Sequence, residues 1–277
     1  MKRGGIKMNI HDFECLISGN TKSVEEVETF WNERAYTFYE TQKKSADTIG
    51  EKITRLLVKK NIIDGDTTIL DIGAGSGRYT IPMAMHAKRV TALDLSESML
   101  HFLKDEVDKV GVKNVNTLHS PWIADVGRNA YTVTFAAMCP ALNSVESLEA
   151  MSKAASHYGV IVRYIKTTDE LLDEYQRISR NEEFYKGDPH NSKETVQAYF
   201  NILWMLGYEP KIEYINHFVD TTISKEQLLD NYSKKSTIRA NDLNVLKEMI
   251  EKKSNEEIIS LRKIYKLAIL YWSTNKE

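Results

Sequence analysis

The 277-residue chain is 42% hydrophobic and 27% charged, with 13 Gly and 5 Pro, a composition that can fill a core and excludes collagen-like, fibrous and tail-like classes. Its 37 Lys and Arg nearly balance 39 Asp and Glu, for a net charge of -2. Without a global positive field to attract a phosphate backbone, composition makes no case for nucleic acid as a partner. Cys15 and Cys139 stand far apart, the usage of a reducing compartment, so the cytoplasm is the expected location. Met1–Lys7 is basic, but Asp12 and Glu14 break the apolar stretch that an export signal would need after it, so none is expected. The apolar run Leu267–Trp272 is flanked by Lys266 and Ser273 and falls far short of the ~18 residues of a membrane span. A single domain is expected, with 1–65 a helical cap, 66–166 a core, and 167–277 lid helices and final strands.

Residues 21–60 place Val24, Val27, Phe30 and Trp31, then Ile49, Ile53, Leu56 and Leu57, at helical spacing, which predicts two or three amphipathic helices ending at the turn Asp64-Gly65-Asp66. Thr67–Ile72 is β-branched and apolar, and leads through Gly73-Ala74-Gly75-Ser76-Gly77 into a helical stretch containing Met83 and Met85. A second strand, Arg89–Asp94, precedes a helix that Ser96 can cap and that runs to about Val110, with Gly111 as its stop. Strands near Val115–His119, Tyr131–Ala137 and Val160–Ile165, with a helix Val145–His157, continue the alternation. That rhythm predicts an α/β, doubly wound parallel sheet over about 66–166.

Beyond Thr168 the pattern changes. Helices are expected at Asp169–Tyr185, Lys193–Leu206, Lys225–Ser233 and Asn241–Ser260, with a break at Gly187-Asp188-Pro189 and late strands at Lys211–Phe218 and Tyr265–Trp272. The mixed charges from Lys247 to Glu257 read as a solvated helix face. No Cys, His or carboxylate spacing suggests a metal.

The chemistry concentrates in Leu70-Asp71-Ile72-Gly73-Ala74-Gly75-Ser76-Gly77-Arg78 and in Asp94 at the end of the next strand. In a βαβ unit a glycine loop lets a ligand approach backbone, and an acid ending the second strand can accept hydrogen bonds from both ribose hydroxyls. The dinucleotide fingerprint needs a third glycine where Arg78 stands, which disfavours a nicotinamide cofactor and leaves other α/β nucleotide binders open. With Asp71 two residues ahead of Gly73, the stretch resembles the first motif of the class I S-adenosylmethionine-dependent methyltransferases, and Val90–Leu100 is similar to their second. The resemblance covers 66–166 well and the flanks loosely.

It implies a mostly parallel, seven-stranded Rossmann-like sheet with N-terminal helices and a helical lid or insertion, and S-adenosyl-L-methionine as cofactor, leaving as S-adenosyl-L-homocysteine. Gly73, Ala74, Gly75 and Gly77 would line the methionine part, and Asp71 would hold its amino group or order the loop. Asp94 would take the ribose hydroxyls, with Leu95 and Met99 beside the adenine unless Met99 simply packs in its helix. The third motif lacks its usual acid. There Ser120 is a candidate for the adenine amine, while Trp122 either covers the ring or packs in the core. Trp31–Tyr36 resembles a lead segment that closes over the cofactor, where the Tyr36 ring would favour a sulfonium, or helix core.

The fourth motif, Ala136–Asn143, keeps Pro140 but not the Asn/Asp-Pro-Pro-aromatic signature of base-amine and glutamine methylation. Met138, Pro140 and Asn143 are the acceptor-side candidates. Catalytic candidates are weak: Cys139, whose plainer role is a small buried residue, and His190, whose plainer place is a loop surface. In-line methyl transfer needs mainly alignment, so the absence of an obvious dyad is compatible. The favoured reading is a small-molecule methyltransferase without a membrane partner, with a homodimer left open. An RNA or protein acceptor, hinted at only by Lys234-Lys235 and Arg239, and a non-catalytic cofactor-binding regulator are the alternatives.

Overall fold

The computed structural model describes residues 9–19, 22–44, 48–123, 126–179, 192–234, 238 and 240–275. Contacts group the chain into two compact units. The first comprises Met1–Arg163, Lys193–Tyr214 and Ala268–Glu277, and the second Tyr164–Ser192 and Ile215–Leu267.

In the first unit, α1 (Ile10–Glu14) opens on a capping box between Asn9 and Asp12, and Glu14 accepts a hydrogen bond from the Val145 amide at 2.9 Å. Helices α2 (Val24–Lys44) and α3 (Ile49–Lys59) precede β1 (Thr68–Ile72). Then come α4 (Thr80–Ala84), β2 (Arg89–Asp94), α5 (Glu97–Val110), β3 (Val115–His119), β4 (Tyr131–Ala137), α6 (Val145–Ala154) and β5 (Ala155–Asp169). Helix α5 begins and ends where its residues dictate. The Ser96 side chain accepts from the Met99 amide, and Gly111 takes the left-handed conformation that closes the last turn.

The sheet order is β3-β2-β1-β4-β5-β7-β6, with β6 at Lys211–Ser224 and β7 at Ile258–Ser273. Pairings of β1 with β2 and β4, of β2 with β3, and of β4 with β5 are parallel. Strand β7 runs the other way: the Thr274 amide donates to the His157 carbonyl at 2.9 Å, while a Cβ on Gly159 would strike the Trp272 ring, so numbers fall along one strand as they rise along the other. The order of strands reverses between β1 and β4, and such a switch point opens a crevice at the carboxyl ends of the two strands.

The first unit's core joins Leu70 and Ile72 of β1, Ala136 of β4, Leu148 and Met151 of α6, and Trp272, with Tyr199 and Ile202 of α8 (Lys193–Met205). Burial of this apolar surface, at ~25 cal/mol per Å², is what fixes the sheet.

The second unit has its own core: Leu171 and Tyr175 of α7 (Glu170–Ser179), Leu228 and Tyr232 of α9 (Lys225–Ser233), and Leu246 and Ile250 of α10 (Leu243–Lys253). Asp169 anchors it, accepting from the Tyr232 hydroxyl at 2.7 Å with Lys263 3.7 Å away. Bidentate pairing of Arg262 with Asp220, at 2.7 and 3.0 Å, links β7 to β6.

Two helices are shorter than their periodicity suggests. Helix α6 stops at Ala154, because Ala155 pairs with Tyr131 and the chain is already strand. Helix α10 stops at Lys253, and Ile258–Leu261, at the charged end of the expected helix, belongs to β7. Strand β6 continues past Phe218 to Ser224. The break at Gly187-Asp188-Pro189, and with it His190, lies outside the described residues. No helix among the described residues is long and apolar enough to cross a membrane.

Candidate functional site

The carboxyl ends of β1 and β2 are stitched together by consecutive backbone amides. Gly73 and Ala74 both donate to the Leu93 carbonyl, at 2.8 and 3.0 Å, and Gly75 donates to Asp94 Oδ2 at 2.8 Å. The other oxygen, Oδ1, accepts from Ser96 N at 2.8 Å. Gly73 and Gly75 have φ of +70° and +55°, a region that side chains disfavour. A Cβ on Gly75 would meet nothing within 4 Å, whereas one on Gly73 would lie 2.6 Å from Cys139 Sγ. The loop is therefore closed on its β4 side and open at Gly75.

Asp94 is only half-buried, and its two backbone bonds leave carboxylate lone pairs free for further donors. Burial raises its pKa, against the opposing pull of the Ser96 and Gly75 amides. Asp71 is different in kind. It is 1% exposed, accepts from Thr80 Oγ1 at 2.6 Å, and is pushed up to about 7, chiefly by burial. Of the two roles open to it, that hydrogen bond supports ordering of the loop.

Helix α2 straddles the carboxyl ends of three strands. Gln42 Oε1 accepts from Ser76 Oγ at 2.8 Å beyond β1; Asn32 Oδ1 accepts from Ser96 Oγ at 2.7 Å and from the Ser98 amide at 3.2 Å beyond β2. At the end of β3, His119 Nε2 lies 3.0 Å from Glu28 Oε1 and 2.9 Å from the Leu95 carbonyl. Sequence reasoning did not single out Asn32 and Gln42. An Asn in mid-helix, where its propensity is poor, was the available signal for the first; for Gln42 there was none.

The remaining cofactor-side candidates divide. Leu95 is half-buried beside Asp94, while Met99 is buried at 3% exposure on the inner face of α5, and Ala74 packs with Ala92, Leu103 and Val107. Ser120 is half-buried and donates to the Pro121 carbonyl at 3.2 Å. Trp122 belongs to the core, 4% exposed, with its indole N–H on the Ser147 carbonyl at 3.1 Å. Tyr36 is 65% exposed, with its ring 6.2 Å from Phe102.

On the β4 side, Met138 has φ +52° immediately after the strand, and its amide donates to the Val162 carbonyl at 3.0 Å. Such a strained non-glycine residue requires a surrounding structure that over-determines it. Cys139 is buried against Gly73, and burial pushes its thiol up to about 12, so the thiolate that catalysis would need is scarce at neutral pH. Pro140 is exposed and Asn143 half-buried; between them the Leu142 carbonyl accepts from the buried Tyr199 hydroxyl at 2.7 Å. Lys234 pairs with Asp230 at 2.6 Å, while Lys235 and Arg239 lie outside the described residues.

Comparison with known proteins agrees with this geometry. Residues 69–159 match the family described as a methyltransferase domain. Curated relatives include ribosomal RNA small subunit methyltransferase G of Lactobacillus helveticus, 36% identical over 81 residues, 28% of this chain and 33% of that one. The protein of the same name from Clostridium perfringens is 30% identical over 119 residues, 36% of this chain and 50% of that one. The chain thus spans half or less of the length of these relatives. Among solved structures, a type II methyltransferase from Anaeromyxobacter dehalogenans, described as putative, superposes with TM-score 0.57 at 14% identity over 82% of this chain and 97% of that one. The magnesium protoporphyrin IX methyltransferase of Synechocystis with bound S-adenosylhomocysteine gives 0.52 at 12% over 89% and 99%. The fold is that of a Rossmann-like methyltransferase. In fold the chain is similar to the class I S-adenosylmethionine-dependent methyltransferases, and the match of sequence is confined to residues 69–159.

Proposed function

We propose that the protein transfers a methyl group from S-adenosylmethionine to a small-molecule acceptor by in-line displacement. The observation that carries this reading is the pairing of the Gly75 amide with Asp94 Oδ2, which holds a half-exposed carboxylate beside the open face of a glycine loop. The residues fit the cofactor. Asp94 would accept from the ribose hydroxyls, the backbone of Gly73–Gly77 would receive the methionine part, and Leu95 would flank the adenine. When bound, S-adenosylmethionine supplies a methyl on a sulfonium sulfur whose leaving group is a neutral thioether.

The chain's own residues bind and align. Asp71 and Thr80 hold the loop from beneath, α2 ties the loops after β1 and β2, and Met138 to Asn143 face the acceptor. No proton donor is required for a neutral leaving group, and alignment supplies the main rate advantage. A small acceptor is supported by the balanced charge of the chain and by the neutralisation of Lys234 by Asp230. The curated relatives named for ribosomal RNA share only a limited stretch, and a scaffold of this kind hosts many acceptors. Two isolated cysteines fit a cytoplasmic setting.

Calorimetry with S-adenosylmethionine and S-adenosylhomocysteine, with NAD as control, tests the site. Micromolar binding that Asp94→Ala weakens by about 100-fold, the sum of two charge-assisted hydrogen bonds, is the expected result. Binding indifferent to Asp94, or none, would sink the reading. A transfer assay with labelled cofactor against small amines, phenols, thiols and carboxylates, beside ribosomal RNA, then decides the acceptor; label entering only the RNA would overturn the small-molecule part.

A further inference from the structure

Arg163 is not among the cofactor-side residues described above, and it carries an unmet donor. It lies in β5 one residue beyond Val162, whose register partner is Ala137 at the carboxyl end of β4 and whose carbonyl receives the Met138 amide. Its neighbours Ile161 and Val162 are fully buried, and Arg163 itself is half-buried. Its Nε is sealed from solvent with no hydrogen-bond partner, and no carboxylate among the described residues pairs with the guanidinium. The positive charge is felt by two buried groups, Cys139 and the Tyr199 hydroxyl, lowering the pKa of each against the larger effect of burial. Cys139 rests on Gly73, and Tyr199 is bonded to the Leu142 carbonyl. The register places Arg163 just beyond the carboxyl end of β4, in the strand on the side of β4 away from β1.

Nε itself is sealed, but the terminal nitrogens of the half-buried side chain have no acceptor among the described residues, and a ligand that supplies one recovers free energy. The group that matches a planar fork of N–H donors is an oxyanion with two adjacent oxygens, a carboxylate or a phosphate. We propose that Arg163 holds an oxyanion of the methyl acceptor, which makes the acceptor a small anionic molecule. The assignment rests on the methyltransferase reading above and narrows it to a substrate class. Arg163 is a specificity-determining residue in this scheme: it fixes one end of the acceptor while the loop from Met138 to Asn143 borders the other.

The test compares the wild type with Arg163→Gln and with Arg163→Lys, which keeps the charge and serves if the Gln variant loses its fold. Calorimetry first measures S-adenosylhomocysteine and 5′-methylthioadenosine, which lacks the amino-acid carboxylate. Protein saturated with S-adenosylhomocysteine is then titrated with benzoate, phenylacetate and phenyl phosphate, the first two against their neutral amides and the last against phenol. The expected result is S-adenosylhomocysteine affinity unchanged by Arg163→Gln. At least one anion should bind tighter than its neutral counterpart by about tenfold or more, the scale of a charge-assisted pair, and this preference should vanish in the Gln variant and persist in part in the Lys variant.

A loss of S-adenosylhomocysteine affinity in Arg163→Gln, with 5′-methylthioadenosine unaffected, would hand the residue to the cofactor carboxylate and overturn the proposal. So would equal binding of anions and neutral counterparts, or an anion preference that survives Arg163→Gln. Wild-type protein that binds no S-adenosylhomocysteine would instead bring down the methyltransferase reading itself. Retained cofactor binding without anion preference removes only the role of Arg163.

Discussion

The two sides of the switch-point crevice are built by different means. At the ends of β1 and β2, positioning is done by backbone amides of the glycine loop and of Ser96 bonding to Leu93 and Asp94, so the stretch from Asp71 to Ser96 contains nearly the whole device. At the ends of β4 and β5, position comes from packing between segments distant in the chain: Cys139 lies against Gly73, and the Leu142 carbonyl accepts from Tyr199. In the function proposed above, a common cofactor would meet the local device and a particular acceptor the packed one. Changes on the first side should therefore act through charge and backbone, and changes on the second through fit.

Asp71 gives the largest expected effect. Its carboxyl stays neutral up to about 7 in the folded protein but ionises near 3.8 when free of its surroundings. Between those values the folded chain holds a proton that the unfolded chain has lost, so stability falls as pH rises from about 4 to about 7, by on the order of 4 kcal/mol. Asp71→Asn fixes the neutral form, and urea unfolding at pH 5 and pH 8 should find this slope missing from the variant. A slope that persists would mean that Asp71 is ionised at no cost and that the first side is not built around a buried carboxyl.

Gly73 is where the two sides touch. Gly73→Ala introduces a Cβ 2.6 Å from Cys139 Sγ on a backbone with φ +70°, and a cost of about 3 kcal/mol is expected from overpacking plus backbone strain. Adding Cys139→Ala should return part of it, leaving ~1 kcal/mol of strain. A double-mutant cycle in urea with no coupling would separate the two sides altogether.

Asn32→Ala removes the acceptor shared by Ser96 Oγ and the Ser98 amide. A loss of about 1–2 kcal/mol is expected, with hydrogen exchange accelerated in α2 but not in β1 or β4. Equal exchange in all three would show that α2 folds and opens with the sheet. The smallest effect belongs to His119, whose contact with Glu28 is 31–43% exposed. His119→Gln should cost less than about 1 kcal/mol, a difference that shrinks in high salt.

Local periodicity and punctuation carried much of the fold. Ser96 and Gly111 bracket α5 at the positions expected of a cap and a left-handed stop, and Ser224 caps α9 in the same way. Where periodicity misled, non-local pairing won. Ala155 and its successors look helical beside α6, but a hydrogen-bonded edge of β4 is available to them. Residues 258–261 come after a charged helix without a break in composition, yet enter β7. Trp122 was ambiguous between ring cover and core, because an aromatic beside a motif has the same identity in either role; the Ser147 carbonyl and the core around it are what distinguish them.

By itself the sequence determined the alternation of strand and helix and the glycine loop with an acid at each of two strand ends, and its resemblance to a family implied the cofactor class, because these features rest on short motifs and on backbone preferences intrinsic to them. Only the tertiary structure decided that Asp71 is sealed against Thr80 while Asp94 stays half-buried, that α2 ties three strand ends through Asn32, Gln42 and Glu28, and that Arg163 Nε is sealed without a partner among the described residues. Burial, strained contacts and unmet hydrogen bonds are properties of neighbours far apart in the chain, and they exist only once the sheet has brought those neighbours together.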